Sequence, residues 1–148
     1  MTPLPPSLGR HWQMAALSRE LDHRPLARTV ADTPLALFRT VHGVGALIDR
    51  CPHRNYPLSE GTVDGDALRC PYHGWRFDAD GACREVPGCT LASGDGRRLA
   101  ATPVEAVERN GAVLVRLAPK GPDLPDLGPW GAPDHDHFWW SQGVWRGR

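Results

Sequence analysis

The chain has 148 residues, a length typical of one domain that buries its own hydrophobic core. Its 17 basic and 17 acidic side chains cancel to a formal net charge of zero, which indicates neither a nucleic-acid partner nor an anionic membrane surface. The start of the chain lacks the apolar core of a secretory signal, and no apolar run reaches the ~20 residues of a membrane span, so a soluble cytoplasmic protein is expected.

Sixteen glycines and fifteen prolines interrupt the chain and favour short strands joined by many turns. Residues 1–10 are rich in proline and are predicted to be irregular. Residues 11–17 are predicted to form the first strand. Ser18 is then expected to cap a single helical turn that ends before Pro25.

Predicted hairpins bring the chain to two short clusters of cysteine and histidine. Strands at 26–30 and 35–40 are followed by a Gly-Val-Gly turn at 43–45 and a returning strand at 46–49. This strand leads directly into the first cluster, which begins at Cys51.

Further hairpins follow the first cluster. Their predicted turns all place Gly after Asp, Pro or Asn, at Asp64-Gly65, Asp80-Gly81, Pro87-Gly88 and Asn110-Gly111. Residues 90–98 are predicted to form a loose loop, and 103–108 to pair with 112–117. Several short strands at close spacing, without a βαβ alternation or a long helix, predict an all-β antiparallel sandwich or barrel.

The two clusters are Cys51-Pro52-His53 and Cys70-Pro71-Tyr72-His73, and each supplies one thiolate and one imidazole. Two thiolates and two imidazoles are the ligand set of a Rieske centre, a [2Fe–2S] cluster in which two His replace two Cys on one iron. The neutral imidazoles remove two negative charges from around the cluster. Its reduction is therefore easier than at an all-thiolate site.

The pattern C-x-H-x16-C-x2-H, within the segments CPHR, LSEG and LRCPYHGWRFD, resembles the Rieske domain of bacterial ring-hydroxylating oxygenases and O-demethylases. The resemblance extends from about His11 to Leu117 and so covers most of the chain. It implies a Rieske-type all-β fold with a small cluster-binding subdomain of two hairpin loops, near residues 50–76.

The resemblance also implies which residues hold the cluster. Cys51 and Cys70 are expected to bind one iron of the [2Fe–2S] cluster, and His53 and His73 the other. The expected function is one-electron transfer, and no residue of this chain is predicted to carry out catalysis itself.

The Rieske proteins of cytochrome bc complexes are a poorer match. They resemble one another in carrying a disulfide between the ligand loops, at positions that here are Tyr56 and Tyr72. They also place a serine where Trp75 stands. Since hydroxyl donors tune the cluster potential, we expect a potential near the low end of the Rieske range, roughly −150 mV. The three aromatic residues are expected to shield the cluster from water. Gly74 is expected to allow a tight turn, and Asn55 stands where the family often has glycine.

Several roles remain open for an electron-transfer protein of this kind. It is either a ferredoxin-like component or the N-terminal domain of a ring-hydroxylating oxygenase-type oxidoreductase. A reductase or ferredoxin would then be the donor, and an oxygenase catalytic domain or subunit the acceptor. Another alternative is a small subunit of a nitrite-reductase-like system.

A structural zinc site is the remaining alternative, because Cys₂His₂ also suits zinc. Zinc usually takes its pairs as C-x₂₋₄-C and H-x₃₋₅-H, whereas each pair here mixes Cys with His. The other two cysteines, Cys83 and Cys89, could pair or bind metal, but they are expected to be small buried thiols.

The predicted Rieske domain spans residues 1–117, and residues 118–148 form a Pro/Gly- and Trp-rich C-terminal arm. Its tryptophans present too much apolar area to leave in water, so the arm is expected to fold back on the domain or to dock on another subunit. His135 and His137 form no complete 2-His-1-carboxylate triad, so no mononuclear catalytic iron site is predicted in this chain.

Overall fold

The computed structural model describes residues 6–124 and residue 126. The strands within these residues are β1 Gln13–Leu17, β2 Leu26–Val30, β3 Thr33–Thr40, β4 Gly43–Ile48, β5 Thr62–Asp64, β6 Ala67–Arg69, β7 Arg76–Phe77, β8 Cys83–Glu85, β9 Glu105–Arg109 and β10 Ala112–Arg116. They form three antiparallel sheets with the neighbour orders β1-β10-β9, β2-β3-β4 and β5-β6-β7-β8. The predicted all-β antiparallel fold is confirmed, and the sheets of the described residues stay open rather than closing into one barrel.

The hairpin turns follow the predicted glycines with two exceptions, the Ala31-Asp32 turn between β2 and β3 and the turn between β3 and β4. Asn110-Gly111 joins β9 to β10 with φ of +52° and +78°, the left-handed pair that a two-residue hairpin turn requires. The turn predicted at 43–45 is wrong, because the chain turns at Val41-His42 and β4 already begins at Gly43. Gly45 lies inside β4 opposite Phe38, where a Cβ would stand 2.6 Å from the phenyl ring. This glycine makes room for an aromatic ring and does not form a turn.

Four short helical turns punctuate the strands of the described residues: the 3₁₀ turns Pro6–Arg10, Ser18–Glu20 and Leu58–Glu60, and the helix α1 Asp95–Arg98. The first and last lie where irregular chain was predicted, so those predictions were wrong. The Asp95 carboxylate accepts a hydrogen bond from the Ala92 amide at 2.9 Å and so stabilises the start of α1. The predicted Ser18 cap was also wrong. Leu17 holds the cap position, and its amide donates to Glu20 Oε2 at 2.8 Å.

Strand β3 is buried on both of its faces. Leu35 and Leu37 point into a core shared with the β1-β10-β9 sheet, while Ala36 and Phe38 point the opposite way, as the alternation of a strand requires. The first core also contains Ala15, Ala16, Val113 and Val115. The second core also contains Cys51, Leu58, Leu68, Cys70 and Phe77. The two cysteine-histidine clusters are therefore rooted in a core that β3 shares with the rest of the domain.

An ion pair ties β3 to β9 across two sheets. The Arg39 guanidinium pairs with the Glu108 carboxylate, with Nη2 donating to Oε1 at 3.2 Å. The same Nη2 lies 3.2 Å from the Ser18 carbonyl oxygen and 3.4 Å from that of Leu21. The hydrogen bond from Arg39 lowers the pKa of Glu108 below its ordinary value, against a smaller opposing effect of burial.

The predicted C-terminal arm begins against the N-terminal turn, where the Ala118 amide donates to the Gly9 carbonyl at 2.8 Å. The packing predicted for its tryptophans, and His135 and His137, lie outside the described residues. Across residues 6–124, no helix has the length and apolar character needed to cross a bilayer. The cytoplasmic location stays a prediction.

Candidate metal centre

The two cysteine-histidine clusters lie in two loops: residues 51–56 form the first loop and residues 70–75 the second. The first loop follows β4 and leads into the Leu58–Glu60 turn. The Asp49 carboxylate accepts hydrogen bonds from the Ser59 amide at 2.7 Å and the Ser59 hydroxyl at 2.6 Å, which joins the chain on either side of this loop. The second loop connects β6 to β7, so the pairing of these two strands holds its ends together.

The first loop is closed by two backbone hydrogen bonds. The Cys51 amide donates to the Tyr56 carbonyl at 2.8 Å, and the Asn55 amide donates to the Cys51 carbonyl at 2.8 Å. Asn55 has a φ of +57°, a left-handed conformation that asparagine tolerates better than most residues. Its side-chain oxygen also accepts a hydrogen bond from Arg50 Nε at 2.6 Å. Asn55 thus takes the left-handed conformation that this loop needs to close.

The second loop repeats the same pattern. The Cys70 amide donates to the Trp75 carbonyl at 2.8 Å, and the Gly74 amide donates to the Cys70 carbonyl at 3.0 Å. Gly74 has a φ of +74°, which confirms the predicted tight turn. A Cβ on Gly74 would lie 3.0 Å from Pro87 Cγ, so the site is also crowded. Both loops therefore return the chain four residues after the cysteine through a left-handed residue.

The two thiols are buried and close enough to interact. Cys51 and Cys70 are each 2% exposed. Burial raises the pKa of Cys51 to about 11, with a further contribution from Cys70, while the His53 and Arg54 backbone amides oppose the rise. In the metal-free chain the Cys51 thiol therefore keeps its proton at neutral pH, and a bound metal must displace that proton.

The two imidazoles meet at the surface. The ring centroids of His53 and His73 lie 4.7 Å apart with planes inclined by 62°, and both side chains are exposed. His53 also stacks on Trp75, whose ring is nearly parallel to it at a centroid distance of 4.7 Å. The loops thus present a buried thiol pair and an exposed imidazole pair, one of each from each loop.

Two exposed tyrosines bridge the loops beside the imidazoles. The rings of Tyr56 and Tyr72 lie 5.5 Å apart, and Tyr72 lies 4.0 Å from His73. These tyrosines are 40% and 54% exposed, whereas Trp75 is half-buried and lies 6.3 Å from Phe77. All three aromatic residues were predicted to shield the cluster, but the stack of Trp75 on His53 was not predicted. His53 stands two residues after Cys51 and Trp75 five residues after Cys70, so no shared spacing in the sequence signals this stack.

The donor set can be compared with the two metal groups considered. Within the described residues, no three His, Cys, Asp or Glu side chains converge as a single-ion site would require. A two-iron cluster instead takes one pair of protein ligands on each iron, and a soft thiolate pair beside an imidazole pair matches that need. The residues present therefore fit a [2Fe–2S] cluster.

The two remaining cysteines lie in different environments. All four cysteines are free thiols. Cys83 is buried as predicted, and burial raises the pKa of its thiol. The prediction that Cys89 is buried was wrong, because the Pro87-Gly88 turn places Cys89 at the exposed end of a hairpin.

The chain is similar to several known proteins. A sequence profile of the Rieske [2Fe-2S] domain matches residues 11–100. The chain is 46% identical over 121 residues to the oxygenase component of dicamba O-demethylase from Stenotrophomonas maltophilia, covering 79% of this chain and 34% of that protein. It is 38% identical over 138 residues to the 5,5'-dehydrodivanillate O-demethylase oxygenase subunit of Sphingobium sp., covering 86% and 32%.

The fold is similar to that of a solved relative. The crystal structure of dicamba monooxygenase bound to dicamba superposes with a TM-score of 0.76 at 40% sequence identity, over 85% of this chain and 39% of that one. The present chain spans about a third of the length of the two curated relatives.

Proposed function

This chain belongs to the Rieske [2Fe-2S] domain family, and we propose that it is the electron-entry domain of a Rieske oxygenase component. A domain of this family binds a Rieske-type [2Fe–2S] cluster, which supplies one-electron transfer when bound. The observation that carries the proposal is the pairing of two buried thiols with two exposed imidazoles in a chain that resembles oxygenase components over most of its length.

Each ligand pair has a separate role in this proposal. Cys51 and Cys70 hold one iron inside the core, where the low polarity stabilises a thiolate only when a cation replaces its proton. His53 and His73 hold the other iron at the surface, so their exposed ring edges are the part of the site that a redox partner can approach.

The partners follow from the class of protein. We propose that a reductase or ferredoxin delivers the electron, and that a mononuclear iron in an oxygenase catalytic domain or subunit accepts it. Two relatives are named as O-demethylases, which supports O-demethylation as the reaction in which this electron is used.

The first test is the metal content of anaerobically purified protein. We expect iron and acid-labile sulfide in equal amounts, about two of each per chain, and after reduction by dithionite the EPR spectrum of a mixed Cys/His cluster. Cys51→Ser and His73→Ala should each abolish the cluster. Zinc without sulfide, obtained again from iron-replete cells, would show that the centre is not a Rieske cluster.

The chain offers matched controls for the ligand variants. Cys83 has a buried thiol like that of Cys51 but lies outside both loops, and Cys89 is an exposed thiol. Cys83→Ser and Cys89→Ser should retain the full iron and sulfide content. Loss of the cluster from either control would mean that the ligand assignment is wrong.

A further inference from the structure

The two loops carry a local positive charge that the neutral chain as a whole does not. Residues 50–57 and 69–75 contain Arg50, Arg54 and Arg69 and no aspartate or glutamate. All three arginines are exposed. The acidic residues that balance them in the total charge must therefore lie elsewhere in the chain.

Arg54 lies on the first loop, and Arg50 and Arg69 directly precede the first and second loops. Arg54 directly follows His53, and Arg50 donates a hydrogen bond to Asn55 within the first loop. The Arg69 guanidinium lies against the second loop, with Nη2 3.4 Å from the position of a Cβ on Gly74. We call the surface formed by Arg50, Arg54, Arg69, Tyr56 and Tyr72 the loop face.

The arginines of the loop face form no ion pair with any carboxylate of residues 6–124. Arg76 and Arg84, in neighbouring strands, pair with carboxylates of their own sheet. Among the described residues, no carboxylate lies within ion-pair distance of the three loop arginines. Asp49, which directly precedes Arg50, already accepts two hydrogen bonds from Ser59, and Asp66, three residues before Arg69, accepts one from the Val41 amide. Their charge is therefore available to an external partner.

The composition of the loop face matches that of protein-binding surfaces. Tyrosine and arginine are the residues most enriched among energetically dominant contacts, together with tryptophan. Here two exposed tyrosine rings lie 5.5 Å apart, one on each of the loops that Arg50, Arg54 and Arg69 lie on or directly precede, and the centroid of the Tyr72 ring lies 4.0 Å from that of His73. A partner that covered this face would need carboxylates to pair with the guanidinium groups.

We propose that the loop face is the docking surface for an electron donor with a carboxylate-rich contact surface, of the acidic ferredoxin type. This inference rests on the proposed function. The donor must bind and leave once for each electron that it delivers, so its association rate matters, and exposed rim charges act chiefly on that rate. In each encounter the donor is oxidised by one electron and this chain is reduced by one.

The test uses the cluster-loaded chain and an acidic plant-type ferredoxin as the probe. Plant-type ferredoxins have lower potentials than Rieske clusters, so electron transfer to a Rieske cluster is downhill. Stopped-flow absorbance follows reduction between about 0.02 and 0.5 M ionic strength, across which the charges become screened. Isothermal titration calorimetry of the two oxidised proteins measures binding without electron transfer.

The decisive variant is Arg54→Glu with Arg69→Glu. The matched control is Arg19→Glu with Arg109→Glu, which makes the same change in net charge at exposed positions outside both loops. We expect the loop variant to be reduced about ten-fold more slowly at low salt, with little remaining salt dependence, and to bind more weakly. The control should keep most of the wild-type rate. Equal slowing of both variants, or no slowing of the loop variant, would overturn the proposal.

Failure of the proposed function is recognised separately. Iron, sulfide and EPR are measured first. A wild-type chain without a Rieske cluster would overturn the proposed function. Intact clusters with unchanged reduction rates in the loop variant would overturn the docking surface alone. If the loop variant loses its cluster, the reduced wild-type chain is oxidised by hexacyanoferrate(III) and by hexaammineruthenium(III). Added salt should slow the anionic oxidant and speed the cationic one, and the reverse would refute a positive loop face.

Discussion

The indole of Trp75 lies parallel to the imidazole of His53, inclined by only 5° at a centroid distance of 4.7 Å. The two residues come from different loops, so this stack joins the loops at the level of the proposed outer iron. Trp75 packs against Phe77 and the second core, so the ring that contacts His53 is itself held in place. Trp75 is therefore expected to position one of the proposed ligands, His53.

The stack can be tested by shortening the aromatic side chain. Trp75→Ala should lower the free energy of unfolding by about 2 kcal/mol, less than the 3–5 kcal/mol typical of a fully buried aromatic residue, because Trp75 is half-buried. It should also broaden the EPR lines, since His53 gains rotational freedom. Trp75→Phe keeps a flat surface and should retain the sharp spectrum. Identical spectra for all three proteins would argue against a positioning role.

Position 75 also allows a test of the low potential. Trp75 places no hydroxyl beside the second loop, whereas serine would add a hydrogen-bond donor. The potential of Trp75→Ser should exceed that of Trp75→Ala by tens of millivolts, on the order of one neutral hydrogen bond. Redox titration followed by EPR measures both. A wild-type potential well above zero would contradict the expected value near roughly −150 mV.

Substitutions at the left-handed residues of the two loops, Gly74 and Asn55, should change the stability by unequal amounts. Gly74→Ala places a Cβ in the left-handed region and against Pro87, and should cost about 1–2 kcal/mol or more. Asn55→Gly keeps the backbone allowed and loses only the bond from Arg50, so it should change stability by less than about 1 kcal/mol. Thermal unfolding followed by circular dichroism compares the two. Equal losses would mean that loop conformation is not the controlling factor.

The Arg39–Glu108 pair predicts a dependence on pH. The pKa of Glu108 is lower in the folded chain than its ordinary value of 4.5, so its stabilisation is fully present above that value and is lost as the pH falls through the folded pKa. Glu108→Gln should lower stability by about 1 kcal/mol at pH 7 and differ less from wild type toward pH 3.5. The difference in stability between wild type and Arg39→Met should likewise become smaller toward pH 3.5. If the difference in stability between wild type and Glu108→Gln stayed constant from pH 7 to 3.5, the Glu108 carboxylate would not be the cause of the pH dependence.

The sequence was sufficient to predict most of the strands. Asn110-Gly111 and Pro87-Gly88 set their turns through backbone preferences that act within a few residues. Gly45 misled the prediction for the opposite reason, since its small size serves a ring on the neighbouring strand. Local patterns identify a glycine that is needed for its φ, but not one that is needed because another side chain occupies the space.

In the candidate site, too, features set by local spacing were predicted, and features set by contacts between distant segments were not. The four proposed ligands stood out because their spacing is local to each loop. The stack of Trp75 on His53 and the exposure of Cys89 depend on how one loop or hairpin lies against another, and a single sequence does not encode that distance visibly. The positive charge of the loop face can be counted in the sequence, but only the structure shows that its arginines form no ion pair within residues 6–124.

One face of strand β3 packs in the second core, which contains the Cys51 and Cys70 thiols, and its other face packs in the first core. A side chain in either core cannot loosen without disturbing the strand that both share. The brown colour of the loaded protein should therefore report on the whole domain during heating. Bleaching of the visible band and loss of the far-ultraviolet signal would occur at one temperature, as a single cooperative melting event.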